Sequence, residues 1–474
     1  MRDAESAQRA QHPGEPGSPD SMKTVDPIDS PAGGRGRLYL LLKRVYSVLP
    51  SGLRNAAHPL AKLYGLLNGL RPEVWIVTGE EKGSHLPLSA CLYTTTSEHR
   101  NYLLELIFGT SFRQRYLGRA WLWNVFRKFP KEARGCSMVF AEVHKSHLKL
   151  IGPGGGVVIP VWVSGEVDLP LPEQVMGSKS VRSDLRRIRN NAFECEITRD
   201  PKRFDDFYQN MYLPYIRGRH GESALLITRE ALKAQFDQGD LILVKHRGEF
   251  IAGQVITYDG TFPSLRVLAV RDGNQHLVRL GAIGASYVFA LQHLEAKGYR
   301  KVSFGRSRAF LRDGVLRFKR KWSQAIVSGS AEKFLMKVVT DTAGTRAFLQ
   351  SNPFISEHLG ELRGNIFLAG DRPLTEQTLE EIDKDYSHTG LSKLIIWSLC
   401  QDDGSIMPVS APRLRRYELL PEVDQADLKR RLGCIGTGSA LDVTKRSMDF
   451  AAEDTASTRQ ITSGVTRADE IRRT

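Results

Sequence analysis

Cysteine is scarce in this chain of 474 residues. Its five thiols, Cys91, Cys136, Cys195, Cys400 and Cys434, are odd in number, scattered, and form no Cys-x-x-Cys pair. Neither a disulfide framework nor a zinc site is suggested, and a reducing cytoplasm is the natural compartment. The N-terminus lacks the apolar core of a signal peptide, and no run reaches the ~20 apolar residues that a spanning helix needs. A Gly-x-Ser-x-Gly elbow is also missing, and no cysteine has a convincing activating partner, which speaks against a covalent nucleophile. Acids are outnumbered: 67 Lys and Arg against 53 Asp and Glu leave a net charge of +14. That excess implies an anionic partner, whether a CoA-type cofactor, a nucleic acid, or an acidic membrane or polysaccharide.

The length suffices for two or three domains. Residues 1–36 are rich in Pro, Gly, Ser and charge and are expected to be disordered. Residues 37–72 hold two apolar, basic stretches, Leu38 to Leu49 and Leu60 to Leu67, which predict a helical hairpin packed on the body. The other reading of 37–70 is a helix lying on an anionic membrane surface through Lys43, Arg44 and Lys62, at the inner face of a membrane. Residues 73–176 predict a strand from Glu73, a strand near Leu88 to Thr94, one or two helices between Glu98 and Phe129, and strands at Ser137 to Val143 and Val157 to Val163. His144 and His147 lack companion ligands, so they read as a surface pair, and no metal is expected. Gly152 to Gly156 reads as a loop because a strand, not a helix, follows it.

Residues 177–330 carry the informative stretch. A helix over Ser180 to Asn191 turns Arg182, Arg186, Arg187 and Arg189 outward, as a solvated face or as the lining of a groove for an anionic substrate. Two amphipathic helices, Phe204 to Tyr215 and Arg229 to Phe236, flank the loop Arg217-Gly-Arg-His-Gly221. Asp240 to Lys245 and Phe250 to Tyr258 predict a hairpin, Ser264 to Arg271 a third strand, and His276 to Lys297 a helix. After the strand Lys301 to Gly305 the chain turns basic, with nine Lys or Arg and one acid, Asp313, between Arg300 and Lys321. Further strands and helices over 331–400 finish the sheet or add a layer, and 401–474 reads as a polar, largely disordered tail.

The order of these elements, with the words Phe207-Tyr208 and Met211-Tyr212, Arg219-His-Gly221, Ile251-Ala-Gly253, Gly305-Arg-Ser-Arg308 and Asp313 to Trp322, resembles the GNAT acyltransferase superfamily. More narrowly it is similar to the FemAB-like branch, which includes acetyltransferase domains found beside bacterial polysaccharide-synthesis genes. The resemblance covers Ser178 to Ile326 and extends back to residue 73. It implies a mixed α+β fold with a central sheet flanked by helices, in two tandem GNAT-like halves of which the first is degenerate. Arg279 to Gly284 follows the GNAT pyrophosphate word with Ala282 in place of its first glycine.

What the resemblance implies chemically is a notch between two diverging parallel strands, here Leu265 to Arg271 and Lys301 to Gly305. An acyl-CoA donor, acetyl-CoA or another, would lie there with its carbonyl near Ala269, Val270 and Arg271. Its pyrophosphate would meet Arg279, Gly281, Ala282 and Gly284 at a helix N-terminus. Oxyanion-type stabilisation and positioning then do the work without a nucleophile. The attacking group has to lose a proton, for which His220 and then Asp313 are the candidates, and Tyr258 or Tyr287 could protonate the leaving thiolate. Arg219, Arg306, Arg308, Lys319 and Arg320 are assigned to anion binding. The acceptor would be a small amine, a hydroxyl or a saccharide. Two rival readings stand beside this one: a transferase that takes aminoacyl-tRNA as donor and builds peptide bonds on a cell-wall precursor, and an inactive GNAT-like body that binds nucleic acid or a membrane.

Overall fold

Short apolar runs alternating with amphipathic helices leave sheet faces that must be covered, and the computed structural model covers them in three sheets flanked by helices. The described residues are 63, 65–126, 131–152, 156–220, 226–258, 260–322, 324–369, 375–399, 418–419, 431–432 and 437–442. The expectations for 1–36, for 37–62 and for most of 401–474 fall outside them. The architecture is mixed α+β, as the resemblance implies.

The first sheet contains β1 (Glu73–Glu80), β2 (Pro87–Thr94), β3 (Phe112–Arg119), β4 (Met138–His144) and β5 (Val157–Pro160), with helix α1 (Ser97–Ile107) between β2 and β3. Thr96 caps α1 by accepting from His99 N–H, and Leu103, Leu104 and Ile107 are buried. Helix was expected as far as Phe129, yet Phe112–Arg119 is an edge strand on β1, with Trp75 opposite Tyr116. Its polar residues are mostly exposed, so no apolar alternation marks it. The strand expected over Val157 to Val163 is broken at Val161 and Trp162. Beyond the break β6 (Val163–Asp168) belongs to the second sheet.

The second sheet adds β7 (Glu194–Thr198), β8 (Gly239–His246), β9 (Glu249–Thr257), β10 (Ser264–Val270), β11 (Lys301–Ser307) and β12 (Ala325–Ser328), in the order β12-β6-β11-β10-β9-β8-β7. The expected hairpin β8–β9 forms, with His246 opposite Glu249. The chain then returns to the first sheet, where β13 (Glu332–Val338) lies between β4 and β5. Each sheet therefore holds a strand from beyond the expected limits at 176 and 330. A third sheet, β14 (Phe354–His358), β15 (Glu361–Ala369) and β16 (Leu391–Leu399), is extended by β17 (Glu418–Leu419) and β18 (Thr437–Asp442). The last two lie within 401–474, and β18 pairs antiparallel with β16.

Around the second sheet, α2 (Lys179–Asn190) starts at the Ser178 cap, and α3 (Ala282–Ala296) lies against β8, β9 and β10. A single helix was expected over 276–297. Instead Gln275–Leu280 is one short helix and α3 another, separated at Gly281, whose φ of 112° is left-handed. Helix α4 (Gly314–Arg320) begins at Asp313. Tyr287 of α3, Phe304 of β11 and Trp322 after α4 are buried together, with ring centroids 5.1 and 6.0 Å from Tyr287. Buried aromatics of this size each contribute roughly 2–3 kcal/mol of apolar burial.

The break at Gly281 yields a prediction. A Cβ there would meet Arg187 Cδ at 3.1 Å on top of the left-handed φ. Gly281→Ala should lower stability by about 1–2 kcal/mol, read as a shift in the urea midpoint.

Candidate functional site

The central feature of the second sheet is a parallel pair that does not stay paired. β10 and β11 share one register pair, Ser264 with Ser303. In the first sheet the parallel pair β2 and β4 shares four, from Ala90 with Met138 to Tyr93 with Ala141. Past Ser264 the strand β10 is bulged against β9: Leu265 faces Ile256 and Leu268 faces Gln254, three steps against two. Gly305 stands where β11 leaves, at φ 69°, and a Cβ on it would be 3.1 Å from Leu265 O. The first residue of β10 thus pairs with the third residue of β11, and toward their C-terminal ends the two strands pair no further. Val267, Leu268 and Gly305 are half-buried there, while Arg266 and Arg306 are exposed.

At the open end of β11 the structure gathers three residues singled out in the sequence. The Arg308 guanidinium is sandwiched between Tyr102 of α1, at 3.9 Å, and Trp162, at 3.6 Å. Its Nη1 is buried with no hydrogen-bond partner among the described residues, and burial lowers its pKa. Lys319 is 4% exposed, and its Nζ donates to Arg306 O at 2.9 Å, on the part of β11 past the point of divergence. Burial pulls this amine down to about 8, with Asp313 opposing. Asp313 accepts from Leu316 N–H at 2.8 Å as the cap of α4, and burial raises its pKa although the backbone donors and the two cations pull the other way. Tyr102 and Trp162 carried no signal in the sequence, since only the fold brings them to Arg308.

Other expected residues lie elsewhere. Arg320 donates to Asp385 O, a carbonyl at the end of the helix Glu376–Tyr386, so it ties α4 to that helix. Arg271 donates to Phe250 O and pairs with Asp206 at 2.6 Å. Ala269 and Val270 are fully buried, in register with Gly253 and Ala252 of β9. The backbone of Arg219 and His220 ends the helix Leu213–His220, and their side chains are outside the described set. Tyr287 is buried among Phe304, Phe318 and Trp322, and burial raises its pKa.

Tyr258 calls for a correction. It follows β9 at the end of the sheet where β10 and β11 begin, the end opposite the opening, and so it is not placed to protonate a group in the slot. It belongs to a network around Asp240, which is 3% exposed. Tyr258 OH donates to Asp240 at 2.5 Å, Lys297 Nζ at 2.7 Å, Arg199 Nε at 2.7 Å, and His293 Nε2 lies at 3.0 Å. Burial works against the Asp240 carboxylate, but the bonds from Lys297, Tyr258, His293 and Arg199 outweigh it and hold its pKa well below the usual range. The same carboxylate makes Tyr258 harder to ionise, after burial has already raised it.

The first turn of α3 is also differently placed from what the pyrophosphate word implies. Gly281, Ala282 and Gly284 are buried beneath α2. Arg187's stem covers Gly281, and a Cβ on Gly284 would lie 2.9 Å from Asp184 Oδ2, a carboxylate that Lys321 engages. The amide end of α3 therefore faces the protein's own carboxylate on that side, while Arg279 is exposed. An apolar groove of about 250 Å³ between α2 and α3, lined by Leu169, Val181, Leu185, Val288, Leu291 and Trp322, holds none of the expected site residues.

Among the described residues no group of three His, Cys, Asp or Glu could hold a metal ion. Burial pushes the Cys91 and Cys136 thiols up, to about 12 and about 11, away from nucleophilic character. No helix among the described residues is long and apolar enough to cross a membrane.

No family model matches the chain, and no curated protein matches it. Solved structures do. The structure of L-PGS from Bacillus licheniformis is 14% identical, with a TM-score of 0.30 over 44% of this chain and 70% of that one. FemX is 11% identical, with a TM-score of 0.31 over 53% and 82%. A GCN5-related N-acetyltransferase from Kribbella flavida is 10% identical, with a TM-score of 0.25 over 77% and 85%. The likeness is weak, and the slot and its surroundings carry the functional reading instead.

Two buried charges give measurable consequences. Asp240→Asn should cost about 3 kcal/mol near neutral pH, the low end for a broken buried pair because Arg199 and Lys297 reach solvent. Since the folded carboxyl titrates below its unfolded value, its contribution is present above the ordinary carboxylate range and is lost as pH falls. The gap between wild type and Asp240→Asn in urea midpoint should therefore close in acid. Lys319 runs the other way. Its folded pKa of about 8 lies below the unfolded value, so the unfolded chain binds the extra proton and stability rises with pH above 8, by about 1 kcal/mol per pH unit. Lys319→Met should lack that rise between pH 8 and pH 9.5.

Proposed function

We propose that the chain is a GNAT-like transferase that moves an acyl group from acyl-CoA to an amine or hydroxyl of a small-molecule or saccharide acceptor, working in the opening between β10 and β11. The observation that carries this reading is the divergence of two adjacent parallel strands after a single residue pair, next to a bulge in β10. A strand edge released from its neighbour presents backbone N–H groups that a thioester carbonyl can accept from, and the bulge at Arg266 and Val267 is where we assign that donor. The acceptor enters from the open end. There Asp313, whose carboxyl burial makes more basic, is assigned to take its proton, and Lys319 and Arg306 to hold anionic groups. The donor's phosphates are assigned to the exposed Arg279 and Arg306, since Gly281, Ala282 and Gly284 are covered by α2.

That covering favours a second reading, in which the donor is aminoacyl-tRNA. Such a donor needs no pyrophosphate cradle at α3, and the exposed Arg182, Arg186, Arg187 and Arg189 of α2 offer phosphate contacts beside it.

Titration calorimetry with acetyl-CoA and with total aminoacyl-tRNA separates the two. Micromolar binding of acetyl-CoA, weakened about tenfold in Arg279→Ala at unchanged thermal stability, is the expected result. Binding of tRNA alone, with a steep salt dependence, would select the second reading. Binding of neither, with no acyl transfer to amines, sinks both.

A further inference from the structure

A surface on the first sheet plays no part in the transfer reading. Five large apolar side chains are exposed there: Leu63 at 52%, Leu67 at 57%, Trp121 at 41%, Trp123 at 38% and Leu150 at 44%. They are far apart in sequence but the fold draws their segments together. Leu122 N–H donates to Leu70 O at 2.9 Å, Ala120 N–H to Pro72 O at 3.2 Å, and Arg119 Nη1 to Asn68 Oδ1 at 2.9 Å. A Cβ on Gly69 would be 3.6 Å from the His147 ring, and the short helix Leu148–Ile151 packs on the turn Leu122–Asn124. The two tryptophans stack, with centroids 4.6 Å apart and planes at 14°, and the Arg71 guanidinium covers Trp121 at 4.8 Å.

The charge in these segments has one sign. Residues 65–72, 119–126 and 144–152 contain Arg71, Arg119, Lys145 and Lys149 and no Asp or Glu. Glu73 follows the first of these segments, and Arg119 engages it at 3.5 Å. Arg71, Lys145 and Lys149 are exposed. In the sequence before Leu63 stand Lys43, Arg44 and Lys62 among leucines.

Leucine and tryptophan side by side at a water-exposed surface, ringed by cations, match the boundary between lipid headgroups and acyl chains. Indoles settle at that depth, and long basic side chains keep their charge at the phosphates while their stems lie on apolar surface. A sugar platform would use the aromatic faces and leave three exposed leucines unexplained. We propose that this surface docks the protein on an anionic lipid bilayer, with Leu63, Leu67, Trp121, Trp123 and Leu150 entering the interface and Arg71, Lys145 and Lys149 facing the phosphates. The proposal is independent of which donor the slot takes.

Flotation of the full chain with vesicles tests it. Vesicles containing phosphatidylglycerol should carry the protein and vesicles of phosphatidylcholine alone should not, with binding that falls as salt is raised. The double variant Trp121→Ser, Trp123→Ser should bind the anionic vesicles about tenfold more weakly or worse, and Arg71→Gln with Lys149→Gln should weaken binding and flatten its salt dependence. A single cooperative thermal transition in each variant serves as the folding control. Anionic vesicles bound as tightly by the tryptophan variant as by the wild type would overturn the proposal. So would equal binding to both lipids, no binding to either, or a wild-type dimer in sedimentation equilibrium that the tryptophan variant dissolves.

Discussion

Two parallel strands that pair at Ser264 and Ser303 and then part company set the terms for the rest of the second sheet. A sheet interior normally satisfies both edges of every strand, so an interior opening leaves backbone donors and acceptors that need other partners. Past the divergence the buried ammonium of Lys319 donates to Arg306 O. Gly305 provides the backbone conformation at which β11 turns away, and the bulge in β10 absorbs the change of register on the other side. The aromatic group of Tyr287, Phe304, Phe318 and Trp322 holds α3, β11 and α4 in place around the opening.

The two sheets are coupled by chain exchange and by one buried cation. β5 and β6 are consecutive strands in different sheets, and β13 returns from the second sheet to the middle of the first. Arg308 then links the open end of β11 to Tyr102 of α1 and to Trp162 between β5 and β6. A guanidinium is the suitable group for such a place, because its flat cation can stack on aromatic faces on both sides and is more weakly hydrated than an ammonium. At the other end of the sheet Asp240 collects donors from the residue after β9, from α3 and the residue after it, and from the residue after β7, and so pins the strands where they are joined. The opening thus lies between a fixed closed end and an end braced against the first sheet.

Much of the second half was legible because its signals are local. The hairpin Asp240 to Tyr258, the strand Ser264 to Arg271 and the basic helix before Trp322 carry apolar spacing and turn residues that report on their own segment. Polar strands were not legible: Phe112–Arg119 lies on a sheet edge and buries too little to alternate. The candidate site was legible in part. Arg308, Asp313 and Lys319 stood out through the charge around them, whereas Tyr258 looked available only because its partner Asp240 is 18 residues away. Gly281 and Gly284 looked like a phosphate cradle, but the same small side chains let α2 approach closely enough to cover them.

Spacing within a few residues was enough to reveal most strands and helices along 73–400, though not the strand Phe112–Arg119 or the break at Gly281, and composition was enough to reveal the positive charge. Which strands share a sheet, where β10 and β11 separate, which carboxylate neutralises which cation, and that Trp121, Trp123 and the leucines share one surface come from long-range contacts alone. The physical reason is that pairing, burial and desolvation are set by neighbours remote in the chain, and a local pattern constrains a residue's conformation without saying what it will touch.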